Sequence, residues 1–156
     1  MFEEMFSNKK NEEKLSKLTI RFKKLHSQTN PPTQAYEGDA GWDLYAEENI
    51  YIPPSEQREV KIGLAFEIPK GWHMQLHTRS SFGKRQLKCH LGIIDSGYRN
   101  EVSVWVHNFG NEGYQINKGN RIAQAVFVPT PLVELVEATE LVSSERGLKG
   151  HGSSGK

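Results

Sequence analysis

Val60-Lys61-Ile62-Gly63-Leu64-Ala65-Phe66-Glu67-Ile68 alternates large apolar residues with small or charged ones over nine positions. A period of two sends successive side chains to opposite faces of an extended chain, so Val60, Ile62, Leu64, Phe66 and Ile68 share one inward face. The pattern returns in Trp72, Met74 and Leu76, in Val102, Val104 and Val106, and in Ile122, Gln124, Val126 and Val128. Breakers stand between the runs: Pro53-Pro54, Pro69-Lys70-Gly71, Asn108-Phe109-Gly110-Asn111, Lys118-Gly119-Asn120, Pro129 and Pro131. Many short strands at close spacing, with no long amphipathic helix and no internal repeat, predict an all-β sandwich or barrel.

Two of these strand-like runs, Leu87-Cys89-Leu91 and Val102-Val104-Val106, read as the arms of a β-hairpin around Gly92-Ile93-Ile94-Asp95-Ser96-Gly97-Tyr98-Arg99. Gly92 leaves its main-chain polar groups uncovered, which lets a flat ligand be read by the backbone. Asp95 stands at the mouth of that turn, where a carboxylate can take a proton from water.

Outside this stretch the composition sets bounds. With 156 residues the chain has room for one core-bearing domain. Twenty basic side chains against 19 acidic ones give a net charge of +1, too little field to recruit nucleic acid without placed contacts. A small anionic ligand held by a few arginines fits better. The single cysteine, Cys89, excludes an intramolecular disulfide and suits a reducing compartment. No apolar run reaches the length of a membrane span, and no signal-peptide stretch opens the chain, so a cytoplasmic location is expected. Residues 1–17 are charged, with Phe2, Met5 and Phe6 at helical spacing, and form an N-terminal extension that is either a short helix or disordered. The β-domain occupies 18–140, and 141–156 ends in the Gly/Ser-rich GLKGHGSSGK.

Metal and nucleotide motifs narrow the chemistry. His73 and His77 lie on a strand, where four residues span about 13 Å, too far to share one ion. Neither a GxxxxGK[ST] loop nor a GxGxxG turn is present. Thr78-Arg79-Ser80-Ser81-Phe82-Gly83 does offer a guanidinium fork, two hydroxyls and successive backbone N–H groups, the inventory of an anion nest. Arg146 through Gly155 repeats that inventory on a tail able to order over a polyphosphate as a lid. Cys89 lacks a second thiol and reads as a packed residue or a pocket wall.

Five segments in this order resemble the motifs of the trimeric dUTP pyrophosphatase (dUTPase) family. They are Ala40 to Ala46, Arg79-Ser80-Ser81, Gly92 to Arg99, Gly119 to Gln124, and Arg146 to Gly155. The likeness runs from about Leu18 to the C-terminus. It implies a distorted jelly-roll barrel assembled as a homotrimer, with sites drawn from three chains and a C-terminal arm, 141–156, that closes over them. The implied activity is hydrolysis of dUTP to dUMP and pyrophosphate with Mg²⁺, which limits uracil in DNA and supplies dUMP for dTMP synthesis.

By the same resemblance Asp95 activates the attacking water, and the backbone of Gly92, Ile93 and Ile94 reads uracil with Cys89 and Ser103 flanking the pocket. Tyr98 stacks under the deoxyribose and excludes a 2′-hydroxyl. Arg79, Ser80, Ser81 and Gln124 hold the triphosphate, while Arg146, Gly152, Ser153 and Ser154 close over its outer phosphates. Asp43 stands beyond the metal's water shell, paired with Arg121. The chain departs from the family pattern at His151, where Phe commonly stacks on the base, at Thr78 for Pro, and at Asn100 for Gly. A related dCTP deaminase needs a Glu where this chain has Trp105, and an indole transfers no proton. A nucleotide-sensing or partner-regulating protein on the same fold would have no need of the base Asp95.

Overall fold

The structure, a computed structural model, describes residues 17–144. The readings made for Phe2, Met5, Phe6, Arg146, His151, Gly152, Ser153 and Ser154 lie outside those residues. Among the described residues the regular secondary structure is all strand, save one helical turn, α1 (Ser80–Gly83). The strands run β1 (Arg21–Lys24), β2 (Gly41–Tyr45), β3 (Ile50–Ile52), β4 (Gln57–Lys61), β5 (Leu64–Glu67), β6 (Trp72–His77), β7 (Leu87–Cys89), β8 (Gly92–Ile94), β9 (Ser103–Asn108), β10 (Tyr114–Ile116) and β11 (Arg121–Pro129).

Two sheets form the body: β2-β11-β6-β8, and β4-β9-β7, with β1-β5 and β10-β3 as antiparallel pairs. Their inner faces meet in one core that includes Leu44, Ile52, Val60, Leu64, Met74, Val104, Ile116 and Ile122, each with no exposed surface. Burying a side chain of this size stabilises the fold by about 1.5–3 kcal/mol. The expected all-β architecture is the one found.

Three local readings differ from the structure. The run from Val60 to Ile68 is two strands, because Gly63 turns the chain at φ +66°. A side chain at Gly63 would bring a Cβ within 2.7 Å of Thr29 Oγ1 and 2.9 Å of Glu47 Oε2. Beyond the turn, β5 leaves β4 and pairs with β1, Phe66 facing Phe22.

The hairpin is real only in part. β7 and β9 do pair, Cys89 opposite Val106 and Leu87 opposite Asn108. The intervening segment, however, crosses to the other sheet, where β8 lies beside β6 with Gly92 opposite Leu76 and Ile94 opposite Met74. Leu91, expected to face inward, stands 64% exposed at that crossing.

On β11 the inward face changes at a bulge between Arg121 and Ala123. The extra residue lets Ile122 and Ala123 both bury, after which Ala125 points inward and Gln124, Val126 and Val128 take the opposite face. That shift moves Gln124 out of the core and onto the sheet surface beside Asp43 and His77.

Candidate active site

Asp43 organises one half of the site. It lies on β2, 7% exposed, directly opposite Gln124 of β11. Arg79 Nε donates to Asp43 Oδ1 at 2.8 Å, and Arg121 Nη1 approaches Oδ2 at 3.4 Å. The expected pairing of Asp43 with Arg121 is therefore present, and Arg79 shares the same carboxylate. Arg79 Nη1 also donates to Ser81 Oγ at 3.3 Å. Two cations about one buried anion leave this corner net positive, and the Arg121 side chain is half exposed.

Motif two is pinned from behind. Thr78, where the family commonly has Pro, donates through Oγ1 to Cys89 O at 3.2 Å and accepts from Cys89 N at 2.9 Å. This two-way bond ties the end of β6 to β7 and fixes where Arg79 leaves the sheet. Ser80 is exposed and Ser81 half-buried on the turn that follows.

Gln124 is placed by a missing side chain. Its carboxamide lies over Gly41 on β2, where a Cβ would stand 3.0 Å from Oε1 and 3.1 Å from Cδ. On the same face His77 Nε2 donates to Gln75 Oε1, Gln75 Nε2 donates to His73 Nε2, and His73 Nδ1 donates to Thr130 Oγ1. The two histidines thus belong to a polar ladder along β6. Among the described residues no three His, Cys, Asp or Glu side chains gather as a metal cage.

The other half sits at the end of β8. Gly92 and Ile94 are half-buried, Ile93 is 63% exposed and Asp95 faces solvent. Tyr98 N–H donates to Asp95 O at 3.1 Å, closing a turn, and the Tyr98 hydroxyl donates to Glu101 O at 3.0 Å. Tyr98 is 39% exposed. Ser103 Oγ donates to Glu59 Oε1 on the surface of the β4-β9-β7 sheet, and its neighbour Trp105 is 44% exposed.

Of the two readings made for Cys89, a packed residue or a pocket wall, the structure shows the packed side chain. Its side chain is 3% exposed within the core and donates to Ile122 O at 3.1 Å. Burial pushes the thiol up to about 11, so it stays protonated at neutral pH.

Within the chain the two halves stand apart. Ile94 lies opposite Met74 and Gln124 opposite His77, on either side of β6. Three residues along a strand and two strand spacings put their Cα atoms about 14 Å apart, and Asp95 continues away. The arginine corner and the carboxylate turn thus stand on opposite sides of β6.

Comparison with known proteins gives this arrangement its family. The sequence profile described as dUTPase matches residues 27–155. The chain belongs to the dUTPase family. It is 39% identical over 142 residues to the deoxyuridine 5'-triphosphate nucleotidohydrolase of Nautilia profundicola, covering 89% of this chain and 100% of that protein. The Clostridioides difficile enzyme of the same name is 36% identical over 87% of this chain and 97% of its own length. The solved Staphylococcus bacteriophage 80alpha dUTPase with dUPNHPP superposes with a TM-score of 0.83 at 30% identity, covering 88% of this chain and 99% of that one. A D95N dUTPase from phage phi11 of S. aureus, described with a structural Mg(II) ion, superposes at 0.75 with 26% identity over 80% of this chain and 99% of its own. This dUTPase-family chain has, among its described residues, no helix long and apolar enough to cross a membrane.

Two features of the site escaped sequence reasoning. One is the bare seat that Gly41 gives Gln124, and the other is the pairing of Arg85 with Tyr114, whose hydroxyl accepts from Arg85 Nη1. Neither has a local signal, because each joins residues far apart in the chain.

Proposed function

We propose that this chain hydrolyses dUTP to dUMP and pyrophosphate in a homotrimer, each site combining the arginine corner of one copy with the Asp95 turn of another. The carrying observation is Asp95 itself. It is exposed at the end of β8, and none of the ion pairs among the described residues engages it. A carboxylate so placed keeps its lone pairs for water, and it stands beside backbone groups of Gly92 to Ile94 suited to reading a flat base.

In this reading Asp95 draws the proton from a water aimed at the α-phosphorus. Tyr98 packs its ring under the deoxyribose, so that a 2′-hydroxyl meets it. Gln124, Ser80 and Ser81 orient the phosphates, and Arg79 offsets charge that grows on the departing pyrophosphate. Arg146, Gly152, Ser153 and Ser154 cover the outer phosphates and His151 covers the base, excluding water.

Mg²⁺ fits the Asp43 corner as a second neighbour. Arg79 and Arg121 occupy one acceptor direction on each Asp43 oxygen, leaving one apiece for metal-bound water. Among the described residues no cage of protein ligands gathers, so the ion would be held mainly by the triphosphate, a division that suits a cation slow to shed its waters. When bound, Mg²⁺ neutralises phosphate charge.

Pyrophosphate release from dUTP by the parent and by Asp95→Asn tests the proposal. Asparagine keeps the shape and removes the base, so turnover should fall at least about 10²-fold while a non-hydrolysable dUTP analogue still binds. Near-parental turnover in Asp95→Asn would remove Asp95 from the reaction.

A further inference from the structure

A cavity of about 390 Å³ opens on the flank of the arginine corner, lined by Arg79, Ser81, Arg85, Tyr114, Asn120 and Arg121. Three guanidiniums converge there. Asp43 accounts for one negative charge, shared between Arg79 and Arg121. Arg85 has no carboxylate partner among the described residues. The cavity therefore holds an excess of two positive charges.

Arg85 is exposed, and it is anchored both at its backbone and at its guanidinium. Its backbone N–H donates to Phe82 O at 2.9 Å, and Phe82 is 4% exposed. Phe82 meets the Tyr114 ring edge-on at 6.3 Å and 68°. The Arg85 guanidinium sits 5.8 Å from the centroid of that same ring and donates to its hydroxyl. A fixed planar fork with further N–H groups to donate is a pre-organised oxyanion contact.

We infer that Arg85, seated on Tyr114, completes a diphosphate subsite in this cavity together with Arg79 and Arg121. Two excess charges and three forks call for a ligand with several closely spaced anionic oxygens. A diphosphate, with six terminal oxygens on two phosphorus centres, spreads its charge across all three arginines better than a single orthophosphate or carboxylate does. The inference rests on the proposed function for the source of that group: the outer two phosphoryls of the substrate, then the pyrophosphate released from it. Arg85 is the residue that this assigns anew, a binding residue for the leaving group.

The test is calorimetric titration of the full chain with inorganic pyrophosphate, orthophosphate and dUMP, in the parent, Arg85→Gln, Arg85→Lys and Tyr114→Phe. Pyrophosphate should bind the parent at least tenfold more tightly than orthophosphate does; equal affinities would overturn the diphosphate assignment. Arg85→Gln should weaken pyrophosphate about tenfold, the effect of losing one charge-assisted contact, and leave dUMP within twofold. Arg85→Lys should fall between, since it keeps the charge and loses the fork, and Tyr114→Phe should cost two- to threefold. Should Arg85→Gln fail to fold, Arg85→Lys, which keeps a cation over Tyr114, carries the comparison. Parental pyrophosphate affinity in a folded Arg85 variant, or equal losses for pyrophosphate and dUMP, would overturn the inference. A parent that binds pyrophosphate through Arg85 yet releases none from dUTP supports the subsite and defeats the proposed function instead.

Discussion

Gly41→Ala separates stability from activity in this chain. Gly41 lies in β2, in a backbone conformation open to any L residue, so alanine meets no backbone strain. Its Cβ would stand 3.0 Å from Gln124 Oε1 and 3.1 Å from Gln124 Cδ, about half an ångström inside ordinary contact. Gln124 relieves that overlap by rotating off β2, at a cost of about 0.5–1.5 kcal/mol for a displaced rotamer. Alanine returns about 0.4–1 kcal/mol by restricting the unfolded chain, so the net change in stability is small. Activity should not escape so lightly. A hydrogen bond from Gln124 to a charged phosphate contributes about 1.5–3 kcal/mol, which places the loss in kcat/KM at roughly 10- to 100-fold. Steady-state turnover of dUTP beside a thermal melt reads both quantities, and a cycle with Gln124→Ala isolates the coupling. In the Gln124→Ala background the glycine change should cost little more. If Gly41→Ala works as well as the parent, or costs the same whether or not Gln124 is present, the seat of Gln124 is not set by Gly41.

Two further outcomes follow from the packing. Tyr98→Ala opens the space below the sugar, so use of UTP relative to dUTP should rise while dUTP binding weakens; a fixed UTP-to-dUTP ratio in turnover assays would place the sugar gate elsewhere. Cys89, held at about 11, keeps its proton after an unfolded thiol at 9.0 has lost it, so folding loses stability as pH rises from 9 to 11. Denaturant titrations of the parent and Cys89→Ala across that range should differ in slope by about 2–3 kcal/mol in total, and identical slopes would mean that the thiol is solvated.

The alternation that announced an all-β chain was legible because it is local: side chains at Trp72, Met74 and Leu76, or Val102, Val104 and Val106, choose their face by strand geometry alone. Faces failed where a distant partner decides. The Arg121/Ala123 bulge exists because β2 fixes the register of β11, and it alone turns Gln124 outward. Gly63 breaks its strand through contacts with Thr29 and Glu47, which no window around residue 63 contains. The crossing of residues 90 to 94 from the β7 sheet to the β6 edge likewise depends on where β6 lies. Motif residues were found by their resemblance to a family, as was the pairing of Asp43 with Arg121; the second cation on that carboxylate, Arg79, was not. Arg85 and Tyr114, 29 positions apart, share no pattern that a sequence displays.

The central claim is that Asp95 and the arginine corner act on one nucleotide from different copies. It is tested by co-expressing two inactive variants, Asp95→Asn and Arg79→Gln, and assaying the mixed assemblies for pyrophosphate release from dUTP. Arg79→Gln keeps a donor for Asp43 and removes the cation, so the fold is preserved. With equal, random mixing, a site built from two different copies finds both intact halves in about a quarter of cases, and about a quarter of parental activity should return. If each copy carried a whole site of its own, every site in the mixture would hold one defect. Activity no higher than that of the two variants alone would contradict the account.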